Sequence, residues 1–357
     1  MELNEISHKK PETLIFFSIL FGLVFAIGII NNIIVVLVYT LKPSIKKQTH
    51  YFFTNLSISD MLLLTVCLPL FTSTQFDLIQ WEHKSTYCKL HYFIEHCLTL
   101  VSSLTIISIG VERCCAVTSP LKVKLFFTSK RSKLILVLIW ILGVLSSTPF
   151  VFMAQVEEKE CNLSVTKGNL IYMIGFNAIL VFLPAVCLSV LYAMIIYRLK
   201  RRDLLFGKKI NYFKKMSINM SDFLIKDSAS ARNSREESMF GHNLRRPKKS
   251  SNVTIIISIV TVVIFCLQLP ARLLICVSFA YDFKLNKSSN SFNRPHNAFV
   301  CMVMVVYFMR CLCNPFIYNF LSSKFRKSLK NFSLSRKSSY SYAHHSYVYS
   351  NRINTRI

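Results

Sequence analysis

Seven stretches of this chain are too long and too apolar for anything but membrane spans. They cover roughly 14–40, 51–77, 88–117, 133–154, 169–199, 252–280 and 297–321, each reaching the 20 or so residues needed to cross a hydrocarbon layer about 30 Å thick. In hydrocarbon a segment must satisfy its own backbone polar groups, and only a helix does so within one crossing. The expected fold is therefore an all-α membrane protein, a seven-transmembrane helix bundle. Composition supports this: 52% of residues are hydrophobic and only 8 are glycine, and the apolar residues lie in long runs instead of the short alternations of a soluble core.

The formal charge of +26 suggests nucleic acid until the charges are located. Lys and Arg number three in 41–50, five in 118–133, fifteen in 198–252 and eight in 322–357, against eight in the N-terminus and the other three loops together. Basic loops stay cytoplasmic, so topology accounts for the charge and no nucleic-acid partner is expected. The N-terminus is then extracellular and the C-terminus cytoplasmic. Residues 1–13 are short and polar, and the apolar run behind them exceeds a secretory h-region and lacks a small-residue cleavage site, so the first span is expected to serve as its own insertion signal.

No soluble catalytic domain, internal repeat, phosphate-cradling glycine loop, HExxH or CxxC spacing occurs, so no enzyme, cofactor or metal centre is expected. Of twelve cysteines, ten fall in spans or at their cytoplasmic ends, where a thiol is a small apolar filler. Cys88 and Cys161 instead face an oxidising compartment, at the start of the third span and in the loop 155–168, where pairing would tie that loop over the bundle mouth.

Each span carries a polar or proline marker. The first has Asn32, and the second has Asn55 to Asp60. The third begins at Cys88, seven residues after Trp81, and ends Glu112-Arg113-Cys114 with Pro120 following. Trp140 and Pro149 lie in the fourth, Pro184 and Tyr192 in the fifth, Pro270 in the sixth. The seventh ends Asn314-Pro315-Phe316-Ile317-Tyr318, where proline frees backbone groups and Asn314 and Tyr318, one turn apart, can bond them. In order and spacing this set resembles the rhodopsin-like G-protein-coupled receptor family along residues 14–332. The stretches Trp81 to Leu90 and Glu95 to Lys122 look most like its neuropeptide branch, near the ghrelin, neuromedin and thyrotropin-releasing-hormone receptors.

The resemblance implies roles. Arg113, paired with an acid while the receptor rests, would be freed on opening to meet the C-terminal helix of a heterotrimeric G protein, with Tyr192 and Tyr318 swinging in. Glu112, Leu121, Pro270, Asn314 and Pro315 complete that activation set, Leu121 as an exposed apolar contact for the G protein. Asp60 is a carboxylate at mid-membrane depth, which by default marks function. The family holds sodium there with residues matching Ser102 and Asn314, and Asn32 joins the same polar core. Two departures stand out. Arg310 falls where a neutral residue is expected, which puts the sodium ion in doubt, and Gln268 replaces the usual tryptophan. A buried arginine needs a counter-charge, and Asp60 is the candidate.

Glu95 lies seven residues, about 10 Å along a helix, inside Cys88, and Arg272 lies two residues beyond Pro270. Related peptide receptors resemble this in splitting their pocket with a Glu–Arg bridge. Gln75, His91, Tyr92, His96, Thr99, Asn177 and Phe308 are the further candidate lining. A retinal protein is disfavoured because the seventh span has no lysine. A small amine using Glu95 as counter-ion remains the alternative ligand.

Asn162 and Asn286 begin sequons on the outer face. Residues 200–251 form a long basic loop expected to be largely disordered beyond short helical extensions. Residues 322–332 are expected to form an amphipathic helix on membrane lipid through Phe325, Leu329 and Phe332, and 333–357 a disordered tail. Serines after basic clusters, Ser250, Ser251, Ser338 and Ser339, fit basophilic kinase sites. Phosphate on the tail, placed by a receptor kinase, would recruit arrestin. Ile357 closes a string that resembles a PDZ ligand. The expected function is a plasma-membrane receptor for an extracellular peptide that activates a G protein. A transporter would show paired broken helices in two similar halves, which these unequal spans lack, and a nonsignalling scaffold would not need the motifs at Arg113 and Asn314.

Overall fold

The computed structural model describes residues 11–41, 49–76, 85–119, 125–157, 160–227, 248–284 and 298–320. The helices are α1 (Pro11–Leu41), α2 (Thr49–Leu62), α3 (Leu68–Gln75), α4 (Ser85–Thr118), α5 (Ser129–Met153), α6 (Lys167–Asp227), α7 (Lys248–Lys284) and α8 (Ala298–Phe320). A single π-helical turn, Leu63–Cys67, joins α2 to α3 within the second span. It lies just before Pro69, whose ring cannot donate a backbone hydrogen bond, so the ladder is re-registered there without breaking the helix. Among the described residues six helices are long and apolar enough to cross a membrane, and α7 adds the apolar stretch Cys266–Tyr281. Together they form the seven-helix bundle that the run lengths predict.

Helix α1 shows how the sequence meets two apolar solvents at once. Phe17, Phe21, Val24, Asn32, Val35 and Val38 recur at helical spacing and are buried, whereas Ile15, Phe16, Ile19, Leu23, Ile27 and Ile30 on the other faces stay open to lipid. Hydrophobicity cannot separate these faces, since lipid is as apolar as leucine. Close packing and polar bonds between helices have to do so. Helix α4 is the axis of the bundle, with 72% of its apolar window buried against 22% in α1 and α5. It packs on α2, α5 and α6, while α6 meets α7, α7 meets α8 and α8 meets α1, closing a ring with α5 on its outside. Helix α5 approaches closely because Gly143 has no side chain: a Cβ there would lie 2.7 Å from Val101.

Polar bonds tie these helices. Asn55 donates to Thr105 and accepts from the Trp140 indole, both at 2.9 Å, joining α2, α4 and α5. Asn32 Nδ2 donates to the carbonyls of Gly28 and Cys311, tying α1 to α8. Between α5 and α6 a hairpin, β1 (Ala154–Glu157) and β2 (Glu160–Leu163), pairs antiparallel with Val156 opposite Cys161. A disulfide joins Cys88 to Cys161 with the Cα atoms 5.5 Å apart, fastening the hairpin to the start of α4.

The expectation of disorder from residue 200 requires correction. Helix α6 continues to Asp227. The stretch after the span contains one glycine, Gly207, and no proline, and a helix already nucleated in the membrane extends through good helix formers at little cost. The expected amphipathic helix 322–332, the tail, Trp81, Pro120, Leu121 and Asn286 lie outside the described residues.

Candidate functional site

At the disulfide end, α4, α7 and α8 bring charged and hydroxyl side chains together. Glu95 on α4 and Arg272 on α7 form an ion pair at 3.4 Å, with the Arg272 side chain 1% exposed and that of Glu95 11%. Only Nη2 of Arg272 reaches the carboxylate. The same nitrogen donates to Thr99 Oγ1 at 3.0 Å and to the Tyr307 hydroxyl at 2.9 Å. Its two hydrogens serve three acceptors, and the carboxylate is the most distant of them. Thr99 spends its own proton on the Glu95 carbonyl, 2.7 Å away. The contact of 2.8 Å between the Thr99 and Tyr307 hydroxyls therefore has Tyr307 donating. One carboxylate, one guanidinium and two hydroxyls from three helices are thus linked through Nη2, while Nε and Nη1 of Arg272 have no hydrogen-bond partner among the described residues.

The other candidate lining residues divide. Tyr92 donates to the Cys161 carbonyl at 3.3 Å, beneath the hairpin. His91 lies beside it, with the two rings 5.4 Å apart. Gln75 is buried at the end of α3, and Asn177 is buried on α6 with its amide nitrogen 2.9 Å from the Met173 carbonyl. His96 faces the aromatic layer instead: its ring stacks on Phe150 at 3.7 Å and lies 5.5 Å from Phe176. Phe308 turns toward the apolar cluster of α1 to α3, its ring 6.3 Å from Phe71. The residue that enters the network is its neighbour Tyr307, which sequence reasoning missed. The signal was available, since Tyr307, Arg310 and Asn314 follow at three and four residues on one face of α8.

Deeper in the bundle, Asn314 donates to Asp60 Oδ2 at 2.6 Å, and Ser59 bonds Ser102 at 3.0 Å. Asp60, Ser59, Ser102, Asn32 and Asn314 are all buried. The expected direct pairing of Arg310 with Asp60 is not found. Arg310 is wholly buried, and among the described residues its Nε, Nη1 and Nη2 atoms, like the second carboxylate oxygen of Asp60, meet no partner at full hydrogen-bond geometry. The Arg310 guanidinium carbon sits 5.0 Å from the centre of the Tyr307 ring. A guanidinium stacks on an aromatic face with part of the gain it would draw from a carboxylate, and this geometry takes the first option.

At the other end of α4, Arg113 Nε lies 3.1 Å from Glu112 Oε2. Tyr192 is buried in a cluster with Tyr39, Phe52, Ile109 and Ile195. Pro270 and Pro315 lie inside α7 and α8, where each removes a backbone donor and leaves a joint. Tyr318 is within α8. Asn162 is in β2 opposite Gln155, one residue beyond the disulfide.

Residues 31–318 match the family described as 7 transmembrane receptor (rhodopsin family). Among curated proteins the chain is 25% identical to the human growth hormone secretagogue receptor type 1 over 316 residues, 85% of this chain and 76% of that protein. It is 23% identical to the mouse neuromedin-U receptor 2 over 336 residues, 90% of this chain and 76% of the relative. A QRFP-like peptide receptor of Branchiostoma floridae is 34% identical over 149 residues, covering 42% of this chain and 38% of the relative.

Proposed function

Because the chain belongs to the rhodopsin family of seven-transmembrane receptors, we propose that it is a plasma-membrane receptor for an extracellular neuropeptide that activates a heterotrimeric G protein. The observation that carries the ligand class is the buried Glu95–Arg272 pair. A receptor for a small amine would need a carboxylate free to meet the ligand cation, and here Glu95 is already neutralised by Arg272. Relatives named for growth hormone secretagogue, neuromedin U and QRFP-like peptides support the same class.

In this reading the disulfide end faces outward, which the distribution of basic residues supports. Peptide enters beneath the β1–β2 hairpin and meets Gln75, His91, Tyr92, Thr99 and Asn177 around the Glu95–Arg272 bridge, with His96 and Phe308 as its packing. Binding biases the α7 and α8 joints at Pro270 and Pro315. Arg113 then leaves Glu112 for the G protein, supported by Tyr192, Tyr318 and Leu121. Sequons at Asn162 and Asn286 carry the glycans, and the tail supplies contacts for arrestin, a receptor kinase and a PDZ domain. The test is a peptide-library screen on cells expressing the chain, read through calcium and cyclic AMP together. Activation by amines and by no peptide would overturn the ligand class.

A further inference from the structure

Tyr307 touches both buried arginines. Its hydroxyl accepts from Arg272 at 2.9 Å, and its ring centre lies 5.1 Å from the Arg272 guanidinium carbon and 5.0 Å from that of Arg310. Two cations thus share one aromatic ring that is 1% exposed. Among the described residues, three nitrogens of Arg310 and one oxygen of Asp60 meet no partner at full hydrogen-bond geometry. Both are buried completely. Opposite charges in one buried polar core attract, yet among the described residues no Arg310–Asp60 ion pair forms, so the guanidinium is held elsewhere. The aromatic contact that the structure provides for Arg310 is the Tyr307 ring.

We propose that Tyr307 is a positioning residue that holds Arg310 off Asp60 and so keeps Asp60 bonded to Asn314, beside the Pro315 joint. Arg272 sets the position of Tyr307 through its hydroxyl. A ligand that draws Arg272 aside frees the ring, Arg310 turns to Asp60, and Asn314 loses its carboxylate one residue before the proline. Asp60 thereby chooses between Asn314 and Arg310, and the choice is made from the ligand pocket. The order of residues on α8 permits this, because Tyr307, Arg310 and Asn314 lie one above the next. This inference rests on the receptor reading only for its last step, signalling; the arrangement of the three side chains is testable without it.

Thermal unfolding of the purified full-length protein tests the arrangement. Tyr307→Leu and Arg310→Gln are expected to be non-additive by about 2 °C or more. Asp60→Asn and Arg310→Gln are expected to be weakly coupled in the native background and more strongly coupled once Tyr307→Leu is present. Tyr307→Trp, which keeps an aromatic face, is expected to leave the coupling at its native value. Coupling of Asp60 to Arg310 that is present in the native background and unchanged by Tyr307→Leu would overturn the proposal, as would additivity of Tyr307 and Arg310. Should the leucine variant not be recovered folded, Arg310→Lys takes its place: an ammonium has no planar face to stack, so coupling to Asp60 stronger than the native value is expected with it, and coupling no stronger than the native value overturns the proposal. In membranes, Tyr307→Leu is expected to raise basal nucleotide exchange several-fold and Arg310→Gln to cancel the rise; a rise that persists with Arg310→Gln overturns the proposal. If the native protein and every variant drive no exchange on any G protein, the receptor reading falls, and the thermal cycle still decides the role of Tyr307.

Discussion

Neutralising Glu95 and Arg272 one at a time is expected to give unequal damage, for a reason that the geometry supplies. Opposite unit charges 3.4 Å apart attract by about 5 kcal/mol at an effective dielectric of 20, an upper figure because desolvation opposes it. Removing one partner of a buried pair costs about 3–5 kcal/mol. With Glu95→Gln, Arg272 keeps the Thr99 and Tyr307 hydroxyls, which holds the loss to about 4 kcal/mol, inside that range. It remains a cation, though, since a guanidinium does not give up its proton. With Arg272→Gln, the stranded carboxyl group has two outlets: its side chain is 11% exposed against 1% for the arginine, and it can bind a proton. Arg272→Gln should therefore be the milder change in stability. The double variant should be less damaged than the sum of the two by about 2 kcal/mol, within the range for contacting buried groups. The assay is a double-mutant cycle on purified receptor by thermal unfolding, with surface labelling to match expression. Strictly additive losses would refute the pairing, and a greater loss in Arg272→Gln than in Glu95→Gln would refute the argument from proton uptake and exposure.

Other outcomes follow from the same geometry. Serine at Cys88 or Cys161 should remove about 2–4 kcal/mol and lower surface expression or ligand binding; labelling of both thiols in unreduced, folded receptor would contradict the bridge. Arg113→Ala should abolish nucleotide exchange while ligand binding stays measurable, because Arg113 and the Glu95–Arg272 pair lie toward opposite ends of α4, and undiminished exchange would end its coupling role. Replacing sodium by a bulky organic cation at constant ionic strength should leave agonist affinity little changed, since Arg310 already places a cation in the buried core with Asp60. Arg310→Asn should create a sodium response, and a sodium-specific fall in affinity of the native receptor that Asp60→Asn abolishes would refute this. Trp140→Phe should cost about 1 kcal/mol by removing the indole bond to Asn55, and unchanged thermal stability would show that the bond contributes nothing.

The sequence by itself determined the number of spans and the family, because both are written in one dimension. Hydrocarbon thickness sets a minimum run length, charge asymmetry sets an expected orientation, and one marker per span at fixed spacing identifies the family. It also placed Glu95 and Arg272 at matching depth, since rise per residue converts spacing into height. Only the tertiary structure decided where side chains turn and which atoms meet. Phe308 and Tyr307 are adjacent in the chain, but the rotation of α8 sends the first to Phe71 and the second to Thr99 and Arg272. Arg310 has the charge to pair with Asp60, and the structure sets it against Tyr307 instead. The π-helical turn at Leu63–Cys67 and the β1–β2 hairpin were likewise invisible in hydropathy. Lipid and protein interior are equally apolar, so composition along a span does not say which face looks inward. That choice falls to close packing and to polar contacts between helices, which are properties of the assembled bundle.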